Sequence, residues 1–183
     1  MQTAESLNRQ LSTAKDLQSI VKTMKAMAAL NIRQYEEAVR SLADYKRAVE
    51  MGLQIVLRHG PRGRITSRKA PRKTLCALVF GSDQGMCGQL NDEVAHYALS
   101  RMDTMGVPLH DRMIWAVGHR IAGRLDDAGQ PIKASISVPG STSGITLAVQ
   151  DMLLRIDRAR DEQKIEQVVL FHAEHKSGAV SHP

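Results

Sequence analysis

A glycine-rich turn holds the residues whose types and spacing come closest to a chemical site. Gly81, Gly85 and Gly88 follow a short apolar run, which is where a dinucleotide-binding fold places its phosphate loop. Their spacing differs from Gly-x-Gly-x-x-Gly, and no Lys-Ser or Lys-Thr pair follows as in a P-loop. The turn is interpreted either as a weak nucleotide site or as glycines that turn a strand into a helix.

Two further candidates involve thiol and imidazole groups. Cys87, in the same turn, is a nucleophile candidate if His96 or His119 acts as its base, but no third group that would orient the base is evident. His172 and His175 are the closest histidine pair, and they lie at the end of a predicted strand. No two carboxylates are placed for acid–base work. The sequence therefore predicts no catalytic residue, no metal site and no cofactor.

The elements that would position this turn alternate after residue 73. Strands are predicted at 74–80, 112–117, 132–138 and 167–172, the last being the final strand. Helices are predicted at 91–105, 119–125 and 145–160, and Asn91 is predicted to cap the first of them. The third helix is amphipathic, and one face carries Ile145, Ala148, Val149, Met152, Leu153 and Ile156. This alternation predicts a small, doubly wound, largely parallel sheet.

Residues 3 to 58 predict one long coiled-coil helix. Every seventh residue is apolar, in the series Leu7, Ala14, Val21, Ala28, Tyr35, Leu42, Val49 and Val56. The second apolar row switches between two positions of the repeat, which is typical of an irregular antiparallel pair. The segment contains no proline and only one glycine, Gly52, so the helix would be roughly 80 Å long. Its apolar stripe needs a partner helix from another chain or from a segment missing here.

Composition and charge set the domain organisation of this α/β chain of 183 residues. We predict a rod over 1–59, a basic linker over 60–73 and an α/β (Rossmann-like) foot domain over 74–183. The net charge is +6. Much of the excess positive charge lies in the segment from Arg58 to Lys73, which contains no Asp or Glu. That segment is either a solvated linker or a contact with an acidic partner. Two cysteines without metal-type spacing and no signal peptide favour the cytosol.

Two motifs resemble the gamma-subunit family of rotary ATP synthases. The family carries a signature close to Ser-Asp-Arg-Gly-Leu-Cys-Gly after its first strand, often followed by Leu-Asn, and residues 82–91 read Ser-Asp-Gln-Gly-Met-Cys-Gly-Gln-Leu-Asn. Its N-terminal helix carries Lys-Ala-Met-x-Met-Val-Ala-Ala, and residues 22–29 read Lys-Thr-Met-Lys-Ala-Met-Ala-Ala. Gln84 stands where the family has Arg. The order of rod, linker, signature and sheet domain agrees over essentially the whole chain.

The resemblance implies a non-catalytic central stalk that couples rotation and ion translocation to ATP synthesis or hydrolysis at other subunits. The implied partners are the alpha and beta subunits of the catalytic hexamer, the epsilon subunit and the membrane c-ring. It implies no nucleic-acid partner and no transmembrane segment, and a place at the cytoplasmic face of the cell membrane. The family ends in a second long helix wound around the first, whereas this chain stops at Pro183, so the resemblance implies either a truncated product or a stalk that lacks the helix needed to drive rotation.

The resemblance also assigns site residues. Lys22, Met24 and Lys25 are expected where the rod meets an acidic loop of the catalytic subunits. The signature turn is expected to be a structural turn and a subunit contact, and its residues are Ser82, Asp83, Gly85, Cys87 and Gly88. Two alternatives stay open: a nucleotide-binding α/β enzyme, and a nucleic-acid-binding protein that uses Arg62 to Lys73. The basic segment has no interleaved aromatic residues for base stacking, which counts against the second.

Overall fold

The structure of the chain is a computed structural model, and it describes residues 4–59, 74–177 and 180–183. The chain divides into two compact units, Met1–Ile65 and Thr66–Pro183. The predicted basic linker, residues 60–73, lies outside the described residues. The predicted bounds of the rod, linker and foot domain therefore stay a prediction.

The described part of the first unit is a single helix, as predicted. Helix α1 spans Ala4–His59, which is 56 residues and about 84 Å. Its apolar stripe faces solvent, because a lone helix cannot bury it: Leu17 is 57% exposed, Val39 is 66% exposed and Leu42 is 56% exposed. Among the described residues, no helix is long and apolar enough to cross a membrane.

The second unit is built on a four-stranded parallel sheet with strand order β3-β2-β1-β4. The strands are β1 Leu75–Phe80, β2 Arg112–Val117, β3 Ile132–Ile136 and β4 Gln167–Phe171. The helices are α2 Leu90–Thr104, α3 His119–Asp127 and α4 Thr142–Gln163, and a 3₁₀ turn covers Leu109–Asp111. The strand order reverses between β1 and β4, so the sheet is doubly wound, as the alternating pattern predicted.

A separate apolar core covers each face of the sheet. Leu75, Ala77 and Val79 of β1 point to one face, where they pack with residues of α2 and α3. Cys76 and Leu78 point to the other face, where they pack with residues of α4. Both sets are almost fully buried because the central strand is covered on both sides.

Two details of the sequence prediction are wrong. Helix α4 buries a narrower face than predicted, since Val149 is 43% and Leu153 is 55% exposed. The strand predicted at 167–172 is not the final one, because β5 Glu174–Ser177 and β6 Val180–His182 follow it and pair as an antiparallel two-stranded sheet. These strands are only four and three residues long and contain one apolar residue, Val180, so they show no apolar alternation by which the sequence could reveal them.

Candidate functional site

The signature turn begins at the carboxyl end of β1 and lies against the turn that follows β2. The Gly81 amide donates a hydrogen bond to the Val117 carbonyl at 2.9 Å. Gly118 has φ +119°, and a Cβ on it would lie 2.7 Å from the Ser82 carbonyl oxygen. A Cβ on Gly81 would lie 2.4 Å from both Asn91 Oδ1 and Ile121 Cβ. Glycine is therefore required at both positions, because a Cβ on Gly118 would meet the Ser82 backbone and a Cβ on Gly81 would meet the side chains of Asn91 and Ile121.

Asp83 joins the ends of three strands. Its Oδ1 accepts a hydrogen bond from the His119 amide at 2.8 Å, and its Oδ2 accepts one from the Val138 amide at 2.8 Å. The carboxylate belongs to the loop after β1, His119 opens α3 after β2, and Val138 follows β3. Asp83 is thus the residue that fixes the relative positions of these three loops at one edge of the sheet.

The same contacts fill the amino end of α3. The first amide of the helix binds Asp83, and the second, from Arg120, donates to the Ser82 carbonyl at 2.8 Å. A helix amino end binds phosphate through such free amides and its dipole. At α3 the protein's own carboxylate and carbonyl occupy that position.

Helix α2, which follows the glycine-rich turn directly, also suits phosphate poorly. Asp92 and Glu93 lie in its first turn, where their charges repel an anion. Gly88 and Met86 both have φ +61°, and the Met86 side chain is 84% exposed. Since these glycines shape a turn with acids beside it, the geometry favours the structural interpretation over a nucleotide site.

Asn91 organises the interior of the turn. Its Oδ1 accepts from the Ser82 amide at 2.9 Å, and its Nδ2 donates to Ser82 Oγ at 2.9 Å and to Cys87 Sγ at 3.1 Å. The side chain is buried for this reason. The predicted role of Asn91 as a helix cap is wrong, because α2 begins at Leu90 and the amide group reaches back into the turn.

Cys87 takes part in this network as a packed, half-buried thiol. Its Sγ lies 3.3 Å from Ser82 Oγ and donates a weak contact to the Gln84 carbonyl at 3.9 Å. Neither His96 nor His119 is among its hydrogen-bond partners in the described residues. The other thiol, Cys76, is buried in the sheet, and this burial raises its pKa from 9.0 to about 11.

Two open grooves flank the turn. One, of about 750 Å³, lies between α2 and the β6 strand, and His96, Tyr97 and His182 line it. The other, of about 430 Å³, lies between the turn and α3, and contains the Arg124–Asp92 ion pair at 2.9 Å. Within residues 4–59, 74–177 and 180–183, no group of three or more His, Cys, Asp or Glu side chains could hold a metal ion.

The rod residues assigned by resemblance are spread around α1. Lys22 and Lys25 are exposed and lie about 60° apart around the helix axis. Met24 is 40% exposed and lies on the apolar side with Val21. Around the axis it is about 100° from Lys25 and about 160° from Lys22. The three residues therefore do not form one patch: they spread over about 160° of the helix circumference, and Lys25, about 40° from Val21, lies between Lys22 and Met24.

Comparison with known proteins gives consistent matches. The family model described as ATP synthase matches residues 3–183. The ATP synthase gamma chain of Cyanothece sp. (strain PCC 7425) is 27% identical over 175 residues, which cover 92% of this chain and 55% of that protein. The gamma chain of Synechococcus sp. (strain PCC 6716) is 29% identical over 140 residues, 75% of this chain and 44% of that protein.

A solved structure has a similar fold. It is the central stalk and c-ring of the mitochondrial ATP synthase of Tetrahymena thermophila, with a TM-score of 0.61 and 21% identity, covering 88% of this chain and 68% of that one. The chain spans about half the length of the gamma chains it matches.

Proposed function

The chain belongs to the ATP synthase family, and on that premise we propose that it is the gamma subunit, or central stalk, of a rotary ATP synthase. It couples rotation and ion translocation to ATP synthesis or hydrolysis at other subunits. The observation that carries the proposal is a 56-residue helix with an exposed apolar seam in the same chain as the signature turn. Such a helix suits the transmission of torque better than the binding of a substrate.

The proposed partners follow from the two units. The rod contacts the alpha and beta subunits of the catalytic hexamer, and the sheet unit contacts the epsilon subunit and the c-ring. A second long helix packs in the apolar seam, supplied either by a continuation of this polypeptide or by another chain. These contacts place the subunit peripherally at the cytoplasmic face of the membrane.

The proposed mechanism is differential contact. A helix with different faces presents a different surface to each surrounding catalytic subunit, so each rotational position favours one nucleotide affinity over another. Coupling free energies are reciprocal, so binding and release of nucleotide also turn the rod. The chain itself performs no catalysis in this proposal. In support, its own Asp83 and Ser82 groups occupy the amino end of α3.

Lys22, Met24 and Lys25 are the proposed contacts with the catalytic subunits. The two lysines face outward and attract carboxylates of an acidic loop. Met24 acts through the seam, because its side chain lies on the apolar face. The Met24→Lys change puts a charge into this seam, and we expect weaker coupling of hydrolysis to ion movement with an unchanged stability of the sheet unit. The measurement is ion pumping per ATP hydrolysed, and unchanged coupling would refute the role of Met24.

Assembly tests the proposal as a whole. The chain, supplied with the gamma residues that its relatives have beyond the match, is mixed with the alpha and beta subunits and analysed by size exclusion. We expect it to elute with the nucleotide-hydrolysing hexamer. A chain that never joins the hexamer contradicts the assignment. Calorimetry with ATP and NAD tests the enzyme alternative, because tight binding to the isolated chain would favour it.

A further inference from the structure

Met86 is the most exposed large apolar side chain among the residues that the structure describes. It is 84% exposed, against 70% for Leu147, the next in order. Its backbone is strained as well, because φ is +61°, a region that a residue with a Cβ rarely adopts. The other described non-glycine residue with a positive φ, Lys164, is the C-cap of α4, where a left-handed backbone is common. Met86 has no such helix end to explain its conformation.

The residues on either side of Met86 are held inward by hydrogen bonds. Before it, the Gln84 carbonyl accepts a hydrogen bond from Ser82 Oγ at 2.7 Å. After it, Cys87 Sγ accepts one from Asn91 Nδ2 at 3.1 Å. A strained conformation persists where its surroundings fix it, and such positions cluster at functional sites. The turn is therefore preorganised to hold the Met86 side chain out in solvent.

The Arg120 side chain of α3 supports the turn on one side. A Cβ on Gly85, the residue before Met86, would lie 3.5 Å from Arg120 Nη2, so the guanidinium group lies against this part of the backbone. Nothing lies within 4 Å of where a Cβ on Gly88 would be. The turn is thus covered near Gly85 and open near Gly88, where a neighbouring protein can approach Met86.

The exposed part of the turn carries no charge. Residues 84–90 read Gln-Gly-Met-Cys-Gly-Gln-Leu, in a chain in which 24% of the residues are charged. Gln84 contributes to this, since it stands where the gamma-subunit signature has Arg. The cores of protein interfaces are depleted in charged residues and enriched in methionine. A neutral turn with one protruding methionine therefore suits an apolar pocket better than a carboxylate or a nucleic acid.

We propose that Met86 is an anchor that inserts into an apolar pocket of a neighbouring protein subunit, so that the signature turn of this chain makes an apolar contact. The inference rests on the proposed function and deepens the subunit contact expected of the turn. The unbranched thioether side chain adapts to pockets of irregular shape. A single methionine on a neutral turn suits a protein pocket and not a membrane surface, because lipid binding needs a broad apolar face beside cations.

The test uses three variants of the full chain. Met86→Gln keeps the length of the side chain and the backbone strain but makes the side chain polar. Met86→Gly removes the side chain and the strain together. Leu147→Gln is the matched control, because it removes an apolar side chain of the same unit that is 70% exposed and lies on α4. Each variant is titrated against the hexamer of alpha and beta subunits and against the epsilon subunit, at low and at high salt.

We expect Met86→Gln to bind one of these two partners about ten-fold more weakly at both salt concentrations, because salt screens charges and not apolar contacts. A ten-fold loss corresponds to about 1.4 kcal/mol, close to the lower end of what the burial of a methionine side chain contributes. Leu147→Gln should change either affinity by less than about two-fold. Unchanged affinity of Met86→Gln for both partners overturns the proposal, and so does a loss that disappears at high salt.

Urea unfolding followed by the emission of Trp115 separates the contact from folding. Met86→Gln should leave the midpoint unchanged, because it keeps the left-handed backbone. Met86→Gly should raise the midpoint by about 0.3–0.5 M, since glycine adopts this φ without the penalty. It should nevertheless bind as weakly as Met86→Gln. A midpoint that falls in Met86→Gly means that the side chain serves folding, and this overturns the proposal.

The titrations also distinguish this inference from the proposed function. A wild-type chain that binds one of the two partners, with Met86→Gln binding equally well, overturns the inference alone. A wild-type chain that binds neither the hexamer nor the epsilon subunit overturns the proposed function, and the inference fails with it.

Discussion

Replacement of Asp83 tests whether one carboxylate holds the edge of the sheet together. Its two oxygens accept one backbone amide each at 2.8 Å, from His119 and from Val138. Hydrogen bonds to a charged group contribute about 1.5–3 kcal/mol each. Because Asp83 is half-buried, water can bind the two amides in the variant and recover part of this free energy. We therefore expect Asp83→Ala to lower the free energy of unfolding by about 2 kcal/mol.

The assay is urea unfolding followed by the emission of Trp115. This is the one tryptophan of the chain, and it is 5% exposed in β2, so its signal reports on the sheet unit without a contribution from the rod. With a slope of roughly 2 kcal/mol per M, the Asp83→Ala midpoint falls by about 1 M. Asp83→Asn keeps one acceptor oxygen and falls by about half as much.

Asp157→Asn is the control, since this exposed α4 carboxylate has no ion pair or hydrogen bond among the described residues. Its midpoint should match the wild type. An Asp83→Ala midpoint within about 0.2 M of the wild type refutes the reasoning, because two lost charge-assisted bonds should exceed that margin several-fold.

Two further predictions concern close packing and a buried thiol. Gly118→Ala should lower the free energy of unfolding of the sheet unit by about 3 kcal/mol or more, since the new Cβ meets the Ser82 backbone at a left-handed φ. Gly123→Ala is the control, because its Cβ has open space in α3, and its stability should be unchanged or higher when urea unfolding is followed by Trp115 emission. The raised pKa of Cys76 means that the unfolded chain loses this proton at lower pH than the folded chain, so stability should fall as pH rises from 9.0 to about 11. A Cys76→Ala chain that shows the same slope contradicts this.

The sequence predicted the elements whose signals are local. Helix α1 could be predicted because the heptad row runs from Leu7 to Val56 without a proline. Three of the parallel strands, β1, β2 and β4, could be predicted because they are short apolar runs bounded by turn residues. Strand β3 could be predicted because its apolar and polar residues alternate. Helix α4 begins at Thr142, three residues before its predicted start, because the amphipathic pattern that predicted it begins only at Ile145.

The sequence failed where the contacts are distant or the residue has two plausible roles. The bonds of Asp83 reach residues 36 and 55 positions away, and no local pattern indicates such pairings. Asn91 precedes two acids at a helix start, which is typical of a helix cap. In the structure its side chain is buried under the turn and forms hydrogen bonds with Ser82 and Cys87 instead of with the helix amides. Strands β5 and β6 contain one apolar residue between them, Val180, so they show no apolar period.

Gly52 gives the long helix one place of greater compliance. It is the single glycine of α1 and lies about two turns before the last residue, His59. Apart from the neighbouring backbone of α1 itself, no atom lies within 4 Å of where its Cβ would be. Glycine weakens a helix interior by about 1 kcal/mol relative to alanine, because its backbone has more freedom to lose. Under torque, bending and twisting of α1 should therefore be largest near Gly52. The long segment before it should stay nearly rigid, and the region around Gly52 should store elastic energy.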